Sequence, residues 1–269
     1  MALMHVDCFS KVLNLAVNVE VILPQRAVSQ IGMAAPDRGG KHPVLWLLHG
    51  ASDDETIWQR RTSIERYAAR YGLAVVMPAA QLSSYANMAH GGRYHDYIAY
   101  ELPELMRSFF PLSSRREDNF ISGLSMGGFG CMKLGLAHPE AYAAIGCLSA
   151  GIAPVFPLPA ASDPRRARWD AMVTGGRDLR GTQEDAFASA RRILRENQPA
   201  PRIYHACGSE DFLLGSARMT RDFFLQIPEN PFGYVYEENP GAHTWEFWDE
   251  HIQHFLRFIG LDEADDIKN

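Results

Sequence analysis

The sequence predicts an α/β protein: a mostly parallel central sheet with helices on both faces. Three observations lead there. Short, continuous apolar runs at 44–48 and 73–77 have the character of strands buried on both sides. Segments of helical spacing alternate with such runs along the chain. The 269 residues, with 46% hydrophobic and 22% charged, suffice for one sizeable core in a single domain spanning 1–269.

Taken in order, residues 13–23 alternate apolar and polar side chains in places and read as an early strand. Residues 28–41 mix Gly, Pro and charge and read as a connection or strand pair. The run at 44–48 is a buried strand ended by His49-Gly50. Ile64, Tyr67, Ala68 and Tyr71 give 62–71 helical spacing, and Gly72 stops it. Residues 73–77 form a second buried strand, broken by Pro78. After a loop rich in Gly, Ser and Tyr, 95–110 is a long helix ending before Pro111. A strand at 119–122 is followed by a helix at 126–137, then by a strand at 143–149. Residues 151–181 are rich in Pro, Arg and Gly without clear periodicity and read as an insertion, cap-like in character. A helix at 184–197, a strand at 202–206, a helix at 216–225, a strand at 233–236 and a closing helix at 245–259 complete the pattern.

Charge and cysteine content narrow the function. A net charge of −6 offers no footprint for nucleic acid, and Arg115-Arg116 and the arginines at 165, 166 and 168 read as solvated surface. Cys8, Cys131, Cys147 and Cys207 are far apart and contain no C-x-x-C pair, which argues against a zinc or thioredoxin-like site. The first eight residues lack a basic region followed by an apolar run, and no stretch approaches eighteen apolar residues. The expectation is a cytoplasmic protein with reduced thiols and no membrane contact.

Gly123-Leu-Ser125-Met-Gly127 fits G-x-S-x-G, with a strand before it and a helix after it. A sharp strand-to-helix turn exposes the serine Oγ and needs small neighbours. The same glycines do not fit G-x-G-x-x-G or a P-loop. A serine is a weak nucleophile at neutral pH and needs a base that a third group orients. The loop after the strand at 202–206 supplies the acid. Asp211 is the candidate, with the adjacent Glu210 and the more distant Asp178 as rivals. His243 stands in a Pro-Gly turn just before the closing helix, where a base can reach Ser125. His251 and His254 lie inside that helix, and their H-x-x-H spacing reads as helix surface rather than metal site. His205 reads as a satisfied core histidine, while His90 and His95 flank the Gly91-Gly92 loop and are candidates for the pocket border, with structural roles an equal alternative. Two backbone N–H groups must hold the oxyanion, and the candidates are Met126 and Ala51. Trp58, Phe129, Trp169 and Trp245 are candidates for an apolar pocket, with core packing an equal alternative for each. No residue set calls for a metal or another cofactor.

With these residues in place, the chain resembles the esterase family of α/β-hydrolases that contains S-formylglutathione hydrolase (esterase D), feruloyl esterases and mycolyltransferases. The likeness is nearest to bacterial tributyrin esterases. It runs over nearly the whole chain, through Phe9-Ser-Lys-Val-Leu-Asn14, Leu47-Leu-His-Gly50, 58–67, Val75-Val-Met-Pro78, Glu101-Leu-Pro103, Phe109-Phe-Pro111, 123–130, 207–212 and Gly241-Ala-His-Thr-Trp-Glu246. The resemblance implies the α/β-hydrolase fold and hydrolysis of short-chain acyl esters without a cofactor, by a Ser125, Asp211 and His243 triad. It also implies a homo-oligomer, a dimer or tetramer. The related activities are thioester hydrolysis of S-formylglutathione and removal of acetyl or feruloyl groups from carbohydrate-derived esters. At 49–53 the chain departs from the Ser-Gly-Leu-Thr-Cys-type run of the S-formylglutathione hydrolases.

Overall fold

A computed structural model describes residues 1–25, 36, 40–152 and 164–262. Eight strands form one sheet: β1 (Ala2–Ser10), β2 (Leu15–Leu23), β3 (Val44–Leu48), β4 (Ala74–Pro78), β5 (Asn119–Leu124), β6 (Ala144–Leu148), β7 (Arg202–Gly208) and β8 (Val235–Asn239). Their spatial order is β1-β2-β4-β3-β5-β6-β7-β8. β1 and β2 pair antiparallel, as do β2 and β4; every other neighbour is parallel.

The sheet's period of two sorts its side chains into two cores. Val44, Trp46 and Leu48 of β3 join Ala74 and Val76 of β4 and Ile145 and Cys147 of β6 on one face. Leu45, Leu47, Val75, Met77, Ala144 and Leu148 enter the other. Both faces are covered, so the central strands read as unbroken apolar runs. On the first face lie α4 (Leu102–Phe109), α5 (Met126–Ala137) and α7 (Ala186–Arg195); on the second lie α1 (Ile57–Arg61), α2 (Ile64–Arg70) and α9 (Trp245–Phe258). α5 is buried on nearly every side, held between the sheet and α7. At its centre the fully buried Lys133 pairs with Glu184 and donates to the Ser84 carbonyl, tying the chain ahead of α7 to α5.

Several elements differ from the expected ones. The helix expected at 62–71 is present as α2, and a short helix not expected from the sequence, α1, precedes it. The 95–110 helix begins as α3 (Tyr94–Asp96), passes through a π-helical turn at Tyr97–Glu101 and continues as α4. Pro103 explains the turn: it has no N–H for the Ala99 carbonyl, and its ring crowds that carbonyl. Within 151–181, where no periodicity was expected to yield structure, α6 (Pro164–Thr174) forms, with only Val173 and Thr174 buried. A helix polar on nearly all sides leaves no apolar stripe to read. Trp169 donates to the Leu82 carbonyl, and the Ala89 and His90 N–H groups bond to the Val173 and Met172 carbonyls, so α6 lies against the loop after β4. α8 (Leu214–Leu225) starts two residues earlier than expected, and β8 falls two residues later than expected. The strand pair at 28–41 falls almost wholly outside the described residues. Among the described residues no helix is long and apolar enough to cross a membrane, and all four cysteines are free.

Candidate active site

The site sits at the carboxyl ends of the parallel strands, where loops from neighbouring strands converge. Ser125 follows β5, Asp211 follows β7, and His243 lies in the loop after β8. Ser125 caps α5 with φ 52° and ψ −116°. A non-glycine residue there is strained by about 1–3 kcal/mol, which the surroundings must hold in place. Its N–H bonds the Leu148 carbonyl, and its carbonyl accepts from the Phe129 N–H.

The two glycines of the turn are required by space. A Cβ on Gly127 would lie 2.5 Å from the Leu48 carbonyl oxygen and 2.7 Å from that of His49, both rigid backbone. A Cβ on Gly123 would lie 2.6 Å from the Gly127 carbonyl. Bare backbone at Gly127 therefore lets the start of α5 touch the end of β3. Ala51 lines the cavity beside Ser125, and Met126 is the first residue of α5. Gly127→Ala is expected to destabilise the fold by about 3 kcal/mol, since the displaced atoms are backbone. Thermal unfolding should show a Tm lowered by about 6–12 °C.

The loop carrying Ala51 is fixed from three directions. The buried His49 bonds its Nδ1 to the Gly50 carbonyl at 2.7 Å and accepts the Ala80 N–H on Nε2 at 3.0 Å. Burial pushes its pKa down, so the neutral ring with Nδ1–H suits both contacts. The Tyr85 hydroxyl donates to the His49 carbonyl at 2.8 Å, and Trp58 Nε1 donates to the Leu48 carbonyl at 3.0 Å. These holds on His49-Gly50 were invisible in the sequence, where His-Gly reads as an ordinary end of a strand.

His243 Nε2 lies 3.0 Å from Ser125 Oγ, and its Nδ1 lies 2.9 Å and 3.0 Å from the two Asp211 oxygens. Asp211 is buried. That burial pushes its carboxyl up, but hydrogen bonds from His243 and the Leu213 N–H outweigh it and hold the pKa below the ordinary value. Glu210 is exposed, and Asp178 pairs with Arg180 on the surface, so neither rival reaches His243. Trp248 packs edge-on against the His243 ring at 4.9 Å between centroids, and Phe212 covers its other side at 4.4 Å while remaining 76% exposed.

Beside Ser125 opens a cavity of about 410 Å³. Gly50, Ala51, Ser52 and Asp53 form one wall, and His243, Thr244, Trp245, Glu246 and Trp248 another; Arg61 and Leu124 complete it. Of the four aromatic residues expected at a pocket, Trp245 borders this cavity. Trp58 is fully buried and packs edge-on against Trp245, so its role is core packing. Phe129 lies beneath the Lys133 ammonium, and Trp169 lies against Leu82; neither borders the cavity. Trp248, Arg61 and Phe212 were not anticipated. Trp248 lies in the first turn of α9, directly after the loop that carries His243, a proximity in sequence that could have found it. His205 is a satisfied core histidine, bonded to the Tyr234 hydroxyl and the Ala150 carbonyl. His95 is buried against His138, away from this cavity.

The Esterase family model, described as "Putative esterase", matches residues 10–259. The chain belongs to the Esterase family. This esterase is 31% identical over 274 residues to an acetyl esterase of Caldicellulosiruptor saccharolyticus, covering 96% of its own chain and 98% of that relative. It is similar to FphF, a fluorophosphonate-binding serine hydrolase of Staphylococcus aureus, with a TM-score of 0.81 and 32% identity over 96% of this chain and 98% of that one. It is also similar to the S-formylglutathione hydrolase FrmB of Staphylococcus aureus, with a TM-score of 0.79 and 32% identity over the same shares. The esterase is a carboxylic ester hydrolase of the α/β-hydrolase fold, and its substrates are small-molecule esters.

Proposed function

We propose that this esterase hydrolyses short-chain acyl esters through an acyl-enzyme on Ser125. The observation that carries the reading is the unbroken chain from Ser125 Oγ through both nitrogens of His243 to Asp211. His243 takes the Ser125 proton as Oγ attacks the ester carbonyl. The developing oxyanion accepts hydrogen bonds from the Ala51 and Met126 N–H groups. The collapsing intermediate expels the alcohol, which receives the proton from His243. A water molecule then gives His243 a proton while attacking the acyl carbonyl, and a second collapse releases the acid and restores Ser125. Asp211 holds the imidazole with Nδ1–H toward itself and stabilises the imidazolium that forms twice per turnover. Side chains and backbone supply every step.

The cavity supports small acyl groups. Its apolar surface comes from Ala51, Leu124, Trp245 and Trp248, and the rest includes Asp53, Arg61 and Glu246. An acetyl-to-butyryl group fits the first part and a polar alcohol the second. Likeness to an acetyl esterase points the same way. Likeness to FrmB supports S-formylglutathione as the second reading, although 49–53 lacks the run expected of it; acetyl or feruloyl esters derived from carbohydrate are the third. The same proposal takes 1–269 as one catalytic unit, with 151–181 a cap-like insertion. It acts in the cytoplasm as a dimer or tetramer.

Hydrolysis of p-nitrophenyl esters from acetate to octanoate, with S-formylglutathione alongside, tests this. The expected kcat/KM peaks between acetate and butyrate and falls about tenfold or more by octanoate, a loss worth about 1.4 kcal/mol. A clear preference for the thioester transfers the assignment to the second reading. A peak at octanoate overturns both.

A further inference from the structure

Outside the catalytic machinery, one cluster of side chains has the donor set of a metal site. Glu237 of β8 and His251 and His254 of α9 each place one ligand atom within 4.8 Å of the others. His254 Nδ1 is 2.8 Å from Glu237 Oε2, and His251 Nδ1 is 3.5 Å from the same oxygen. We propose that Glu237, His251 and His254 bind a divalent transition-metal ion of the zinc class.

The geometry is close to what such an ion needs. Zinc takes nitrogen and carboxylate oxygen at about 2.0–2.2 Å, which sets tetrahedral donors about 3.3 Å apart. The observed separations bracket that value, so small side-chain rotations bring the three donors to bonding distance. The donors also have the right chemistry, because two imidazoles and a carboxylate select zinc, cobalt or nickel over calcium or magnesium. His251 is fully buried. Its orientation is fixed, since the ring stacks on Phe247 at 4.0 Å between centroids. The Tyr204 hydroxyl, 2.8 Å from both Glu237 Oε2 and His251 Nδ1, stands at the fourth corner. An ion can enter, since the Glu237 and His254 side chains are 31% and 28% exposed.

The position gives the site a consequence. β8 is the edge of the sheet, and the chain between Glu237 and His251 contains the His243 loop. An ion held there clamps the edge strand to α9 and closes both ends of the segment that carries the proposed base. The H-x-x-H pair, read in the sequence as helix surface, faces a strand and supplies two ligands.

The test uses the full, untagged chain with Zn²⁺ and Co²⁺ as probes. Equilibrium dialysis should find one Zn²⁺ per chain. Co²⁺ should show the intensified visible bands of a tetrahedral ion, and saturating Zn²⁺ should raise Tm by about 5 °C. His254→Ala and Glu237→Gln should each weaken Zn²⁺ binding by about 100-fold or more. Both variants should keep the metal-free esterase activity, and Ser125→Ala should bind Zn²⁺ like the wild type. Absence of stoichiometric binding, or unchanged binding in His254→Ala and Glu237→Gln, overturns the proposal and leaves the cluster a hydrogen-bond knot.

Discussion

Ser125→Ala is expected to lower kcat/KM for p-nitrophenyl acetate by about 10⁵-fold or more while leaving the fold intact. The substitution removes one oxygen atom, the one that lies 3.0 Å from His243 Nε2. It changes neither the backbone conformation at φ 52° nor the bonds of the Ser125 N–H and carbonyl, because neither depends on Oγ. Thermal unfolding of the variant should therefore stay close to that of the wild type. The cavity walls and the Ala51 and Met126 N–H groups also remain, so residual acceleration of about 10³–10⁴ over water is the ceiling. With binding surfaces preserved and the covalent step lost, the effect belongs in kcat, with KM little changed. Activity equal to wild type would mean that the serine at this turn is not the nucleophile, whatever the geometry.

The turn at Ser125 was legible because strand, turn and helix impose a local pattern. Five consecutive residues, 123–127, encode a backbone path that only small neighbours permit, and the Cβ clashes at Gly123 and Gly127 show why. Asp211 and His243 were legible for a different reason. Chain order in a parallel sheet dictates which loops reach the carboxyl ends, so the loop after β7 and the loop before α9 had to face Ser125. The central strands were equally plain, since burial on both faces leaves them without polar interruptions.

What the sequence concealed depends on contacts distant along the chain. The anchoring of His49 rests on Ala80, 31 residues away, and on the Tyr85 hydroxyl, 36 residues from the carbonyl it reaches. The aromatic wall could not be assigned by residue type. Trp58 and Trp245 are the same amino acid in edge-on contact, yet one is buried and the other borders the cavity. β1 is a contrasting case: Met4, Val6 and Cys8 pack toward the core while His5 and Asp7 face out, a period of two that was present to be read. α6 had no such signal, because almost none of it is buried.

Asp211→Asn is the second large effect, expected to lower kcat by about 10⁴-fold with little change in the overall structure. The carboxylate accepts from His243 Nδ1 with both oxygens and from the Leu213 N–H. An acceptor on that side obliges the imidazole to carry its proton on Nδ1, leaving the Nε2 lone pair toward Ser125. An amide can offer its NH₂ group to Nδ1 instead, which places the proton on Nε2 and removes the base. It also withdraws the negative charge that stabilises the imidazolium. The pKa of Asp211 is held below the ordinary carboxylate value, so the carboxylate is ionised throughout the neutral range and into mild acid. The sign follows: a depressed native pKa stabilises the fold above the unfolded value of about 3.9 and loses that contribution as pH falls through the native one. Asp211 titration should therefore leave no mark on the rate near pH 5–7 in the wild type, and the stability difference between Asp211→Asn and wild type should shrink in strong acid. Glu210→Gln is the matched control. It removes a carboxylate one residue away that is exposed and does not touch His243, and it should retain wild-type kcat within about twofold. If the two variants exchange behaviours, the acid of the triad is Glu210, and the loop after β7 must turn by one residue when substrate binds.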